Sequence, residues 1–184
     1  AGGTVTWTSA WPVSSTKDGG TGYANGFYNF AGKYEENLTS QTRTLGGKEW
    51  TMTFEAGAKL AYTTGSGQAI GSSGGYTKTF TLESDDFEGK IKSITLKTRT
   101  KVADSKLAAT VGGKNYLCGG EAEVSYTVAS GTTPLTLKFE PDANGAQEGK
   151  ILLSFAIPQT SNNHYVKEIS VEYEEVEPAF AAPV

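Results

Sequence analysis

Residues 91–96 read IKSITL and residues 166–171 read VKEISV. Both run apolar, Lys, polar, Ile, polar, apolar. The second half of each alternates apolar with polar, which puts one side of an extended strand in a core and the other in water. The first apolar residue stands three positions before the Ile, so strict alternation fails there. A β-bulge or the start of a strand absorbs the extra residue. The match is too short for an internal repeat. It suggests two strands in equivalent places of one sandwich, and neighbouring places would satisfy it.

The same period recurs outward from these segments. Trp50, Met52 and Phe54 alternate with Thr51 and Thr53, and Phe80 and Leu82 sit in YTKTFTLE. Leu107, Ala109 and Val111 sit in KLAATV, then Val124, Tyr126 and Val128 in EVSYTV. Leu135, Leu137 and Phe139 follow in LTLKF, and Ile151, Leu153 and Phe155 in ILLSF. Asp18-Gly19-Gly20, Gly46-Gly47, Gly112-Gly113, Gly119-Gly120 and Asn144-Gly145 punctuate the runs as turns. Regular short strands at this spacing predict an all-β fold of about ten strands in two packed antiparallel sheets, a β-sandwich. EAGAKLAY at 55–62 is the one helix candidate, weakened by its Gly. Trp7 and Trp50 read as core. A single domain is expected over 1–174, with 175–184 (EEVEPAFAAPV begins at 174) as a linker or frayed tail.

Composition agrees with a sandwich whose outer faces meet water. The 184 residues are 37% hydrophobic and include 23 Gly. The net charge is −4, with acids and bases interspersed. No basic stripe marks a nucleic-acid surface, and no apolar run reaches the length a membrane helix needs. The single cysteine, Cys118, excludes an internal disulfide and reads as a small buried hydrophobe. The AGGTVTW start looks like a mature or trimmed end, from which an export signal would already be gone. Asn37-Leu38-Thr39 matches a glycosylation acceptor, relevant only in a eukaryotic secretory host.

Catalytic patterns fail one by one. The only histidine, His164 in SNNHY, has no second His or Cys to complete a zinc site and reads as a surface or loop residue. Gly71-Ser72-Ser73-Gly74 lacks the spacing of a nucleophile elbow. GSGQAIGSSGG at 65–75 lacks the Lys-Ser/Thr ending of a phosphate loop and reads as a flexible or tightly turned connection. Glu35, Glu36, Glu55, Asp85 and Asp86 are the carboxylates a glycosidase pair could draw on, but Glu35-Glu36 and Asp85-Asp86 are sequence neighbours and read as solvated turn charge. Asp142-Ala143-Asn144-Gly145 is half of a calcium loop, which a type I turn also explains. No cofactor and no enzyme activity are expected, with a structural calcium left as an alternative.

Binding is the chemistry the composition suits. A ring stacks on the C–H face of a sugar while planar polar groups read its hydroxyls. TGYANGFYNFAGKY at 21–34 interleaves Tyr23, Phe27, Tyr28, Phe30 and Tyr34 with Asn25 and Asn29. Alternation puts Tyr28 and Phe30 inward and leaves Tyr23 as the accessible ring, with Trp11 nearby. A second cluster is Asn162, Asn163, His164 and Tyr165. The candidate ligand contacts are therefore Trp11, Tyr23, Asn25, Asn163, His164 and Tyr165, with no metal ligand among them.

Residues 48–174 resemble a β-sandwich module of secreted and surface proteins of gut Bacteroidetes. The resemblance lies in Gly67-Gln68 with Gly71-Ser72, Phe80-Thr81-Leu82, FEGKIKSITL at 87–96, LAATVGG at 107–113, Gly149-Lys150-Ile151 and YVKEISVEY at 165–173. It implies a jelly-roll, galactose-binding-like sandwich appended to larger extracellular proteins, and brings no catalytic residues. The first 45 residues depart from it. The expectation is a secreted or cell-surface, non-catalytic binding module with a glycan as ligand, a monomeric part of a longer chain. The alternative is a structural or adhesive module that packs against another extracellular protein domain. Neither nucleic-acid binding nor membrane insertion is expected.

Overall fold

The computed structural model describes residues 3–10, 38–58, 60–63, 66–71, 78–119, 124–158 and 164–176. All regular structure among them is extended. The strands are β1 (Thr4–Ala10), β2 (Leu38–Leu45), β3 (Lys48–Ala58), β4 (Leu60–Thr63), β5 (Gly67–Ile70), β6 (Thr79–Ser84) and β7 (Gly89–Thr100). They continue as β8 (Ser105–Val111), β9 (Lys114–Cys118), β10 (Tyr126–Val128), β11 (Leu135–Pro141), β12 (Ile151–Ala156) and β13 (His164–Glu175). The helix candidate at 55–62 is strand instead. β3 runs through it to Ala58 and β4 begins at Leu60.

The two matched segments lie side by side. β7 and β13 pair antiparallel from His164↔Thr100 to Glu175↔Gly89. The register slips between Val166 and Glu168, and again between Glu172 and Tyr173. The first slip leaves Lys167 unmatched and the second leaves Lys92 unmatched. These are the two lysines of the repeated pattern, so the extra residue in each segment is a bulge. The bulges lie on opposite strands and cancel. His164, Val166, Ile169, Val171 and Tyr173 are all buried opposite buried Thr100, Thr98, Leu96, Ile94 and Ile91.

The remaining strands hang from this pair. β11 pairs with β7, while β5 and β1 pair with successive halves of β13, and β4 lies outside β5. The other half of the same hydrogen-bonded path runs β2-β3-β6-β12-β8. β9 joins the two, pairing with β8 on one side and β11 on the other. The path folds over on itself, so strands distant in pairing order face each other. Trp7 of β1 stacks on Trp50 of β3 with ring centroids 5.6 Å apart, and Phe155 of β12 meets His164 of β13 at 5.0 Å. Phe80 and Phe155, direct cross-strand partners, stack at 4.3 Å and anchor the middle. This is the all-β antiparallel sandwich that the alternation predicts, with Trp7, Trp50 and Cys118 buried as expected. At the β9 junction the buried Tyr116 hydroxyl donates to Ile91 O and accepts from Gln147 N at 2.9 Å. Burial pushes the phenol up, against the opposing pull of the Gln147 amide.

One stretch read as a loop is a strand. Gly67-Gln68-Ala69-Ile70 is wholly buried, paired with both β4 and β13. Its Gly-rich composition hides it, because close backbone approach takes the place of a side-chain pattern. Gly67 has φ +83°, and a Cβ there would lie 2.7 Å from both Lys167 Cα and Val166 O, at the β13 bulge. Gly113 has φ +80° with open space around it. Gly113→Ala is expected to cost about 1–2 kcal/mol from its left-handed backbone alone. Gly67→Ala adds a clash with backbone, for a total of about 3 kcal/mol or more. Urea melts of the two variants measure the difference, and equal losses would show that β5 does not seat on the bulge.

Candidate functional site

The site candidate is built by the turn between β6 and β7, Asp85-Asp86-Phe87-Glu88. Three polar ties fix it to the start of β3. Ser84 Oγ donates to Glu49 O at 2.7 Å, Glu49 N donates to Asp86 Oδ2 at 2.6 Å, and Lys48 Nζ donates to Asp86 O at 3.0 Å. Between the acids, Phe87 turns inward. Its ring meets Trp7 at 5.3 Å, Trp50 at 5.9 Å and Tyr173 at 5.3 Å, all nearly edge to face. Such pairs add to the burial of the rings themselves. The Lys48 ammonium lies 5.1 Å from the Phe87 centroid and 5.6 Å from that of Tyr173.

The outcome is a cleft of about 270 Å³ lined by Lys48, Asp85, Asp86, Glu88, Tyr173, Glu175 and Val176. The Asp86 carboxylate is committed to the Glu49 amide. Asp85, Glu88 and Glu175 have no side-chain partner among the described residues and line the walls. Lys48 has three N–H donors, of which the Asp86 carbonyl takes one. Across the Asp85–Asp86 ridge lies a second cleft of about 190 Å³, bordered by Glu49, Thr51, Glu83 and Lys150. Lys150 and Glu83 form an ion pair there at 3.7 Å. The first cleft thus offers both hydrogen-bond donors and acceptors above a floor of interlocked rings. Sequence reasoning marked Asp85-Asp86 as solvated turn charge, and both are exposed. It missed Lys48, Glu88, Tyr173 and Glu175. The local signal is Phe87, an apolar residue inside an acidic turn, which tells that the turn is plugged into a core.

Of the residues expected to bind a ligand, the described residues include His164 and Tyr165, and neither lines this cleft. Trp11, Tyr23, Asn25 and Asn163 lie outside the described residues, as does the whole 21–34 stretch. His164 and Tyr165 are buried, which corrects the placing of His164 on the surface. The His164 ring is 0% exposed, with Nε2 2.6 Å from Thr98 Oγ1 and Phe80 and Phe155 beside it. Burial lowers its pKa to about 3, so it is neutral near pH 7 and closed to a substrate. The side chains of Asp142 and Asn144 form a local turn, with Asp142 Oδ1 accepting from Asn144 N and Nδ2, each at 2.8 Å. Tyr165 points to the other side of β13, under the Arg99 guanidinium at 4.7 Å. Arg99 is itself held by Gly131 O at 2.7 Å and Ser66 Oγ at 2.9 Å.

No family model matches the chain, and no curated protein matches it. Among solved structures it is similar to a family 29 carbohydrate binding module from Piromyces equi, at 16% identity over 94% of this chain and 92% of that one, with a TM-score of 0.39. A mutant of a second family 29 module aligns at 11% identity over 95% of this chain and 98% of that one, also with a TM-score of 0.39. A low affinity xylan binding module, CBM86, from the gut symbiont Roseburia intestinalis aligns at 12% identity over 77% of this chain and 94% of that one, with a TM-score of 0.36. Likeness at this level carries no functional argument, so function is argued from this chain's own side chains.

The ties around Asp86 predict an asymmetry between two adjacent acids. Asp86→Ala leaves the Glu49 amide without its carboxylate and is expected to cost about 1–2 kcal/mol. Asp85→Ala removes only an outward charge and should stay within about 0.5 kcal/mol of the parent. Chemical denaturation of both variants checks this.

Proposed function

We propose that the chain is a non-catalytic binding module that recognises a carbohydrate, displayed on a secreted or cell-surface protein. The observation that carries this reading is the cleft over Tyr173. Sugars present hydroxyls that both donate and accept, and the cleft offers them an ammonium and three carboxylates that have no side-chain partner among the described residues. Its volume lies just under the usual range for small-molecule sites, about 300–1,000 Å³, which suits one or two sugar units. Charged partners make stronger hydrogen bonds to hydroxyls than neutral ones. Trp11, Tyr23, Asn25 and Asn163 belong to the proposal as further contacts, chosen for ring stacking and amide hydrogen bonding. Nothing in the proposed binding requires a cofactor.

A structural or adhesive module is the second reading, favoured by a different observation. Among the described residues Trp7, Trp50, Phe54, Phe80, Phe87, Tyr116, Phe139, Phe155, Tyr165 and Tyr173 are all buried, and only Val124 and Val176 are exposed large hydrophobics. That pattern offers no stacking platform on the described surface.

Isothermal titration against soluble plant and mucin polysaccharides separates the two. Saturable binding is expected, weakened about 10-fold or more by the Glu88→Gln/Glu175→Gln double variant with an unchanged melting point. Binding lost instead in Trp11→Ala or Tyr23→Ala moves the site to the aromatic stretch. A natively melting protein that binds none of the polysaccharides rejects the glycan reading and leaves the structural one.

A further inference from the structure

The end of the core away from the Trp7–Trp50 stack is polar. Gln68, Thr98, Thr100, Ser105 and His164 are all buried there. Thr98 Oγ1 contacts two groups, Tyr165 O at 2.7 Å and His164 Nε2 at 2.6 Å. A carbonyl only accepts, so the single hydroxyl proton of Thr98 goes to Tyr165 O. The hydroxyl oxygen must then accept from His164, which places the imidazole proton on Nε2. Nδ1 is left as a bare lone pair, and it is buried with no hydrogen-bond partner among the described residues.

Among the described residues, the groups placed beside this ring give a second proton no counter-charge: Phe80 of β6, Phe155 of β12 and Thr98 of β7 contact it, and Thr100 of β7 and Ile70 of β5 are its cross-strand partners. None of them titrates. The cations Arg99 and Lys101 lie over Tyr165, the next residue, on the opposite face of β13. A proton on Nδ1 would create a charged donor with nothing to accept it, which a packed interior does not tolerate.

We propose that His164 is an acid-sensitive latch, holding β5 and β13 onto β7 while its Nδ1 is bare and releasing that corner of the sandwich when Nδ1 takes a proton. His164 opens β13 and pairs there with both neighbours, so expelling its ring frees three strand ends at once. The direction in pH follows from linkage. Burial holds the folded pKa at about 3, below the unfolded value of about 6.5. The unfolded chain therefore takes the proton first. The stabilisation is complete above pH 6.5, is lost progressively as pH falls toward 3, and changes no further below that. By pH 5 the folding constant falls about 30-fold relative to pH 8 from this one group.

The test combines stability with nitrogen NMR of the histidine ring. At pH 7 the parent protein should show protonated Nε2 and bare Nδ1, and the folded ring should not titrate between pH 5 and 8. Urea melts should show the 30-fold loss, and His164→Leu should remove it. Hydrogen exchange of amides 67–70 and 164–166 should accelerate on acidification before that of β6 and β12. A proton on Nδ1 at neutral pH, a folded ring titrating near 6.5, or corner amides that exchange only with the whole sandwich would overturn the proposal. Should His164→Leu fail to fold, the ring titration and exchange of the parent protein decide it.

Discussion

The structure depends on one pairing, β7 against β13, and on the two bulges that let it run without interruption. Each of the two strands is twelve residues long and carries one bulge. Lys92 on one strand and Lys167 on the other are the unmatched residues. Each bulge absorbs the odd spacing within its own strand, so that Ile169 follows Val166, and Ile94 follows Ile91, on the inward face. Together they return the register to where it began, so Ile91 and Tyr173 at one end and Thr100 and His164 at the other face the same interior. The bulged residues are lysines because an unmatched position is thrown out of the pleat, where a long charged side chain meets solvent.

From that frame the two ends of the interior diverge. At the Tyr173 end the bulge delivers a ring into the Trp7, Trp50 and Phe87 cluster, and Lys48 caps it. At the His164 end it delivers an imidazole between Phe80 and Phe155, hydrogen-bonded to Thr98. The aromatic end is held by interlocking shape and tolerates acidic groups on its rim, since the carboxylates stay in water. The polar end is held by directional hydrogen bonds, which leave one acceptor, His164 Nδ1, unmatched among the described residues. Thr98 shows how tight that matching is, since its single proton determines the protonation of its neighbour.

The fold was legible in the sequence where side chains alternate and hidden where the backbone does the packing. IKSITL and VKEISV announced both the strands and the slip within them, because the misplaced Lys interrupts an otherwise regular period. GSGQAIGSSGG concealed β5 because Gly67 contributes an absence of side chain, which no hydrophobic pattern registers. EAGAKLAY looked helical on local propensity, but its continuation from the alternating Trp50-Met52-Phe54 run overrides that preference. The site was legible only in part. Asp85 and Asp86 stood out as charge, but their partner Lys48 lies 38 residues earlier than Asp86 and their neighbours Tyr173 and Glu175 lie on the last strand. His164 was misplaced because a run of Asn before a His looks like a loop, while the strand that buries it begins at the His itself.

Rigidity links the fold to binding. A sugar offers weak, exchangeable hydrogen bonds in competition with water, so affinity depends on polar groups already held in place before the ligand arrives. In the proposed site the ring cluster performs that service. Phe87 cannot leave the Trp7–Trp50 interior without exposing a large apolar surface, so the acids flanking it, Asp85, Asp86 and Glu88, are held at the rim. Tyr173 is fixed by the same contacts, and Glu175 follows it along a strand bonded on both sides. The buried aromatics that speak against a stacking platform are therefore what positions the polar cleft. On the described surface, recognition by hydrogen bonding and burial of the rings are two consequences of a single packing arrangement.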